Sequence, residues 1–178
     1  MITTRLKSAI LVAVCAVAYG APAYAQNCQH VAGRVVETVI SPFASPADPF
    51  GRIVSRNEGT INGVGTAIIT SIVPGPGGPP AWNATTRHVL VESAQDQLVA
   101  TGAAQVRPIP GNTTDGADTV TLTVNGAESL GRYAGATGTI TYEGTGFNFY
   151  GPFPFPDPAA GSAYFVFHYE GTVCLAGK

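Results

Sequence analysis

The chain has 178 residues, of which 45% are hydrophobic and 11% charged, and its formal net charge at pH 7 is −2. This length suits one domain with a single core, and the apolar fraction excludes an intrinsically disordered chain. A mildly acidic chain without a basic cluster gives no reason to expect nucleic acid as a partner. Glycine (22 residues) and proline (14 residues) are frequent, which favours short strands and tight turns over long helices.

Residues 1–25 have the organisation of a signal peptide. Arg5 and Lys7 precede an apolar stretch, Ala9–Val17, and Ala23-Tyr24-Ala25 matches a small-x-small cleavage site. The apolar stretch is too short to span a membrane, and no later stretch is long enough. We therefore expect a secreted or periplasmic protein whose mature part, 26–178, is one domain with 7 basic and 11 acidic residues.

The mature part contains eight runs that alternate or are rich in β-branched residues, and each is bounded by Gly, Pro or Asn. Asn62-Gly63 predicts a tight hairpin turn between the second and third runs. Gly126–Tyr133 predicts the only helical turn. The predicted strands are His30–Ile40, Gly51–Thr60, Gly63–Val73, Arg87–Ser93, Gln97–Arg107, Thr119–Val124, Gly138–Thr145 and Ala163–Val173.

If these strands alternate in direction, their connections sort into two ends. One end carries four long connections rich in Pro, Gly or aromatics, and the other carries two short turns and the segment Asn125–Thr137. The Pro74–Thr86 connection contains Trp82, which we expect at the rim. This arrangement predicts a closed eight-stranded antiparallel β-barrel with one elaborated mouth, a common place for a small-molecule site.

The cysteines test this topology. Cys15 lies within the signal peptide and lacks the preceding small residue of a lipoprotein, so we expect its removal. Cys28 and Cys174 remain, and in an oxidising compartment they predict a disulfide, with two free thiols as the alternative. The bridge would join the first and last strands at the seam that closes the barrel. A sandwich whose termini lie close together would permit the same bridge.

The predicted bridge also sets a register. With Cys28 opposite Cys174, Arg34 lies opposite His168, and Glu170 lies diagonal to Arg34 on the same face. The opposite face is more apolar and is predicted to face the interior, unless a bulge reverses part of it. Its members are Val31, Val35, Glu37, Val39, Phe165, Phe167 and Tyr169.

One segment resembles a known family. The run from Gly131 to Gly138, followed by Thr139-Ile140-Thr141-Tyr142, is similar to the G-R-F-A-G-A-x-G segment of the allene oxide cyclase barrel superfamily, which includes dirigent-like proteins. Asp48-Pro49-Phe50-Gly51-Arg52 and the run from Tyr169 to Cys174 resemble secreted bacterial members of that group. The resemblance covers essentially the whole mature chain, and its Gly-rich segment is the more specific part.

The resemblance implies a calycin-like eight-stranded barrel with an apolar pocket, often assembled as dimers or trimers. Members of the group guide ring closure of hydrophobic small molecules without a cofactor, and the glycines let the chain turn back across the barrel floor. Glu37 matches the acidic residue that cyclases of this group place on the first strand, facing the pocket. The other catalytic residues of these enzymes have no match in this sequence.

Three inward-facing residues are candidates for chemistry. A carboxylate at Glu37 in an apolar lumen would have a raised pKa and could act as acid or base, whereas a register shifted by one would place it in solvent. Tyr142 and Tyr169 could donate hydrogen bonds to a ligand, or pack with one satisfied hydrogen bond each. Phe165 and Phe167 would supply apolar contacts to the same ligand.

The tract Phe147–Pro156 is rich in aromatics and proline, and it includes Phe149 and Tyr150. Such a tract must be buried beneath neighbouring loops, cover the mouth as a lid, or contact a partner. Trp82 could stack against it. We include Phe149, Tyr150 and Trp82 among the candidate ligand-binding residues.

Other chemistries find little support. His30, His88 and His168 lie on different predicted strands without a metal-binding spacing, so no metal site is expected. The sequence also lacks a nucleophile elbow and a phosphate-binding loop.

Two functions stay open. The first is a barrel that binds a hydrophobic small molecule and steers its cyclisation or isomerisation without a cofactor. The second is a non-catalytic, envelope-associated binding or structural protein that uses its aromatic tract. An apolar cavity of about 300 Å³ or more around Glu37 would favour the first, and a lumen filled by side chains would favour the second.

Overall fold

The computed structural model describes residues 27–40, 51–77, 81–148 and 163–177. Its strands form one closed barrel in chain order, in which every neighbouring pair is antiparallel and β8 pairs with β1. The predicted closed eight-stranded barrel is confirmed, whereas the predicted signal peptide lies outside the described residues. The strands are β1 (Asn27–Val39), β2 (Arg52–Gly59), β3 (Gly63–Pro74), β4 (Trp82–Val91), β5 (Gln97–Pro108), β6 (Gly116–Val124), β7 (Thr137–Phe147) and β8 (Tyr164–Leu175).

The seam between β1 and β8 has the predicted register. Cys28 lies opposite Cys174 and the two form a disulfide, while Arg34 lies opposite His168. Because side chains alternate across a strand, this register sends Glu37 into the barrel and Arg34 into solvent. The predicted assignment of the two faces is therefore confirmed along both strands.

The two ends of the barrel differ in their connections. We call the end where β1 ends and β8 begins the mouth, and the opposite end, which carries the disulfide, the floor. Large side chains fill the half of the lumen nearer the floor, and the cavity that the described residues line lies toward the mouth. The fully buried side chains nearer the floor include Val31, Leu90, Leu98, Leu122, Tyr133, Ile140, Tyr142 and Phe167.

Glycines shape the floor. Gly131 and Gly135 adopt positive φ angles of 61° and 74°, which are open to glycine at little cost. Gly131 is the first residue of a short 3-10 helix, Gly131–Tyr133, and Gly135 follows the helix, which buries Tyr133 against the core. This agrees with the expectation that the glycine-rich segment turns back across the floor. No helix among the described residues is long and apolar enough to cross a membrane.

A bulge in β3 changes which residues face inward. The register with β4 shifts between Ile69 and Ser71, so the strict alternation is interrupted at Thr70. As a result Ile69 and Ile72, which differ in parity, both line the same interior space.

Several strand boundaries differ from the prediction, and β1 begins at Asn27 rather than His30. β4 begins at Trp82 rather than Arg87, and β6 begins at Gly116 rather than Thr119. The first part of β4 pairs with β3 on one side and β5 on the other, which outweighs the weak strand propensities of Asn83 and Ala84. Trp82 therefore lies on a strand with 7% of its surface exposed, not in a loop at the rim.

Candidate functional site

The free space of the lumen is a cavity of about 50 Å³ in the mouth half of the barrel. A cavity needs roughly 10–15 Å³ to hold one water molecule, so this one has room for about three to five water-sized groups. It is much smaller than the 300 Å³ expected for a pocket that encloses a whole ligand. Its lining residues are Glu37, Ile53, Ile69, Ile72, Trp82, Ala84, Thr86, His88, Ala104, Val106, Asp118, Val120 and Phe165.

Glu37 is the acidic side chain that β1 contributes to the cavity. It lies opposite Phe165 of β8 and Ser55 of β2, and 4% of its surface is exposed. Its Oε1 atom has no hydrogen-bond partner among the described residues. Burial raises the pKa of Glu37 to about 8, and the charge of Asp118 contributes to the same shift. At pH 7 Glu37 is therefore mainly a neutral, protonated acid.

Asp118 brings a second carboxyl group to the cavity from β6. Its exposure is 6%, and its Oδ1 atom has no hydrogen-bond partner in the described part of the chain. Burial raises its pKa to about 7, although a hydrogen bond from the backbone N–H of Thr119 opposes the shift. Near neutral pH this carboxyl group exchanges its proton readily.

His88 on β4 lies between Glu37 and a threonine. Its Nε2 atom is 2.9 Å from Thr86 Oγ1, within hydrogen-bonding distance, and its Nδ1 atom is 3.9 Å from Glu37 Oε1. Burial lowers the pKa of His88 to about 4. At pH 7 the imidazole is neutral while Glu37 is protonated, so the contact between them joins two neutral groups and is not an ion pair.

A glycine makes room for the Thr86–His88 pair. Gly102 of β5 lies opposite Thr86 in the sheet, and a Cβ atom added there would lie 2.1 Å from Thr86 Oγ1 and 3.2 Å from His88 Nε2. Only glycine leaves the space that this hydrogen bond occupies.

The predicted site residues separate into two groups. Glu37, Phe165 and Trp82 all line the cavity. Phe167 and Tyr142 pack together at a ring-centroid distance of 5.7 Å and lie outside the cavity lining.

Tyr169 forms hydrogen bonds with a backbone connection at the floor. Its hydroxyl group accepts a hydrogen bond from the backbone N–H of Ile61 at 2.9 Å and donates one to the carbonyl oxygen of Ile61 at 3.1 Å. This arrangement matches the packing interpretation of Tyr169 rather than ligand binding.

The aromatic tract is described only at its start. Phe147 stacks on Tyr164 at 4.8 Å between ring centroids. Tyr164 is 38% exposed, so this stacked pair lies on the outside of the barrel. Phe149 and Tyr150 lie outside the described residues.

Sequence reasoning missed His88 and Asp118 as members of the site, although a signal for both was present. Val120, Leu122 and Val124 form an apolar row with a period of two, and the same period extended backward places Asp118 on the inward face. In β4 the inward position of Leu90 places His88 on the same face. Within the described ranges, no group of three or more His, Cys, Asp or Glu side chains could hold a metal ion.

The chain matches no family model, no curated protein and no solved structure. The resemblance to the allene oxide cyclase barrel superfamily therefore stays a prediction.

Proposed function

We propose that this protein binds a small, largely apolar molecule at the mouth of its barrel and acts on the buried end of that molecule by proton transfer. The observation that carries the proposal is a pair of buried carboxyl groups, Glu37 and Asp118, each with one oxygen that has no partner among the described residues, in a mostly apolar cavity.

Unpartnered polar atoms support a ligand at this place. A buried polar atom without a hydrogen bond costs on the order of 1–3 kcal/mol, and Glu37, Asp118 and His88 each contribute one. A bound molecule that hydrogen-bonds these atoms would recover part of that cost. Perturbed carboxyl groups in a cavity are also a frequent feature of functional sites.

The protonation states suit acid–base chemistry at neutral pH. Glu37, with its pKa near 8, would donate a proton, and Asp118, with its pKa near 7, would accept or return one. The neutral imidazole of His88 lies beside Glu37, with Nδ1 3.9 Å from Oε1, and would be a second polar contact for the ligand. A cofactor-independent isomerisation or cyclisation fits these residues, and the low dielectric of the site would strengthen each interaction.

The cavity size limits how the ligand binds. About 50 Å³ encloses a few heavy atoms, so a larger molecule would insert only its reacting end and leave the rest at the mouth. We also propose export to the periplasm or medium, which the disulfide supports because such bonds persist in oxidising compartments. Assembly as a dimer or trimer is part of the same proposal.

A second candidate is a non-catalytic binding or structural protein of the cell envelope. The small cavity and the filled lower lumen favour it, because they leave little space for a substrate. The stacked pair of Phe147 and Tyr164 on the outer face would then contribute to a surface for a partner.

Native mass spectrometry of the purified protein and binding assays with a library of small hydrophobic molecules test the first candidate. The chain has one tryptophan, and because Trp82 lines the cavity, its fluorescence should change on binding. Glu37→Gln should abolish turnover of any substrate found and leave the barrel folded. Glu143→Gln is the matched control, since Glu143 is exposed on the outer face of β7. Absence of any bound or binding molecule would reject this function in favour of the second candidate.

A further inference from the structure

The polar atoms of the cavity have an unusual balance of charge and hydrogen-bonding groups. Among the described residues that line it, two are acidic and none is Lys or Arg. Glu37 Oε1, Asp118 Oδ1 and His88 Nδ1 are buried and have no hydrogen-bond partner among the described residues. The two carboxyl oxygens are acceptors when ionised, so they need a ligand that brings donors.

Two carboxyl groups in one apolar space oppose each other's ionisation. The charge of Asp118 disfavours a charge on Glu37, because like charges repel strongly where water is excluded. A cation placed beside them would attract both carboxylates and so relieve this repulsion. The protein supplies no such cation from the residues that line the cavity.

We propose that the cavity binds the protonated amino group of a small alkylamine, with Glu37 and Asp118 as its carboxylate partners. This inference rests on the proposed function, because it names the ligand class of the same site. The ammonium group supplies three donors and a positive charge in a volume of about one water molecule, and a short alkyl chain fills the remaining apolar space.

Other ligand classes fit this lining less well. A carboxylate or phosphate would add a negative charge to two acidic groups. An alcohol or ketone could accept a hydrogen bond from the protonated Glu37 carboxyl group but would leave the charge of an ionised Asp118 uncompensated. Trp82 and Phe165, the aromatic residues of the lining, add faces of negative electrostatic potential that attract a cation.

Binding is coupled to proton release. A protonated amine enters as R–NH₃⁺, and Glu37, together with the protonated fraction of Asp118, releases its proton to solvent. The product is one ammonium group beside two carboxylates, so atoms balance and the site carries a net charge of −1. Among the described residues, Asp118 and Tyr142 interact electrostatically with Glu37. His88 is the titratable group in closest approach, with Nδ1 3.9 Å from Glu37 Oε1. His88 stays neutral because burial lowers its pKa to about 4, and Tyr142 stays neutral because burial, and then Glu37, raise its pKa.

Titration calorimetry with n-butylamine and n-butanol at pH 7 tests the inference on the purified protein. Each titration is repeated in two buffers with different ionisation enthalpies, which counts the protons released. We expect saturable binding of n-butylamine with release of about one to two protons, and binding of n-butanol at least tenfold weaker. Because both carboxyl groups lose protons, the affinity for the amine should rise by more than about tenfold per pH unit near pH 6 and less steeply near pH 8.

Variants separate this site from a surface site. Glu37→Gln should reduce the pH dependence to the part that Asp118 contributes and weaken the binding of n-butylamine at least tenfold, and Asp118→Asn should also weaken it. Glu143→Gln, on the outer face, should bind like the parent protein. Circular dichroism confirms that each variant is folded, and because Asn and Gln are close in shape to the protonated acids, we expect all three to fold.

The outcomes distinguish the two proposals. Equal binding of amine and alcohol without proton release would overturn the amine inference and leave a small-molecule barrel standing. Amine binding that survives both Glu37→Gln and Asp118→Asn would also overturn it, because the ammonium group would then lie elsewhere. Binding of neither probe would count against the amine inference, while a different ligand found by mass spectrometry would still support the proposed function.

Discussion

At the residue scale, three titratable side chains share one small cavity and all favour their neutral forms. Glu37 and Asp118 have raised pKa values of about 8 and 7, and His88 has a lowered pKa of about 4, in each case chiefly because of burial. Burial therefore makes the charged form of each group less favourable in the folded protein than in the unfolded chain. The pH dependence of folding follows from this difference between folded and unfolded chains.

The carboxyl groups should destabilise the barrel as pH rises. The pKa of Glu37 increases on folding from 4.5 to about 8. The stability that its protonated form contributes, relative to its ionised form, is therefore fully present below pH 4.5 and is lost as pH rises to 8. Glu37→Gln should therefore raise the free energy of unfolding at pH 9 by on the order of 3 kcal/mol and change it little at pH 4. Urea unfolding of both proteins at the two pH values measures the difference.

The pKa of His88 shifts in the opposite direction, so its effect on stability has the opposite dependence on pH. Its pKa falls on folding from 6.5 to about 4. The stability that its neutral form contributes, relative to its protonated form, is therefore fully present above pH 6.5 and is lost as pH falls toward 4.

The effect of Glu37→Gln on the free energy of unfolding should be compared with that of Glu143→Gln, which leaves the cavity unchanged. Equal stability of the parent and Glu37→Gln proteins across this range would show that Glu37 is not desolvated.

At the element scale, the alternation of side chains along paired strands explains both the success and the failure of sequence prediction. The disulfide fixed the register of β1 and β8, so Glu37 was assigned to the interior correctly. β4 and β6 have no such anchor, and the Pro and Gly residues near their first residues predict loops there. Trp82 was therefore misplaced, and Asp118 was missed.

The size of the cavity could not be read from the sequence. It depends on how far side chains from all eight strands fill one lumen, and on the bulge that turns both Ile69 and Ile72 inward. A bulge is one extra residue that local patterns do not reveal. The identity of the lining residues is more predictable than the space left between them.

Gly102→Ala tests the close contact between β4 and β5. The added Cβ atom would overlap Thr86 Oγ1 and press on His88 Nε2, so the hydrogen bond between these two side chains should be lost. We expect a loss of stability of about 1–3 kcal/mol, typical of overpacking, measured by urea unfolding.

The control for this substitution is Thr101→Val on the outer face of the same strand, which should change stability by less than about 0.5 kcal/mol. The pKa of His88, followed by NMR, should also move in Gly102→Ala, since its Nε2 contact is altered. An unchanged imidazole signal and unchanged stability together would contradict the assigned packing.

Tyr169→Phe tests how β8 holds the connection between β2 and β3. The hydroxyl group makes two hydrogen bonds with the backbone of Ile61, and its removal leaves a buried donor and acceptor unpaired. We expect a loss of about 1–3 kcal/mol in the free energy of unfolding. Tyr164→Phe, at an exposed position of β8, is the control, and an equal effect of both substitutions would argue against these bonds.

At the scale of the whole molecule, one covalent bond closes the seam between the first and last strands. It links residues separated by 146 positions, so it restricts the unfolded chain strongly. Replacing both Cys28 and Cys174 by Ser should lower the free energy of unfolding by about 3–5 kcal/mol, measured by urea unfolding.

The closed barrel should nevertheless persist in the double variant. β1 and β8 pair over most of their length, so the far-ultraviolet circular dichroism spectrum should be unchanged in the absence of urea. Addition of a reducing agent to the parent protein gives an independent measure of the same effect. A variant that unfolds at the parent's urea midpoint would show that the bridge adds nothing.

The pairing of Asn27 with Leu175 brings the two ends of the described barrel side by side at the floor, on the side away from the cavity. A short peptide joining them would span one interstrand gap, about 5 Å, and new termini could then be cut into the tight connection between β2 and β3. Such a circular permutant would retain all eight strands and the acidic cavity. The same geometry would let the protein be attached to a surface by either end with its mouth directed outward.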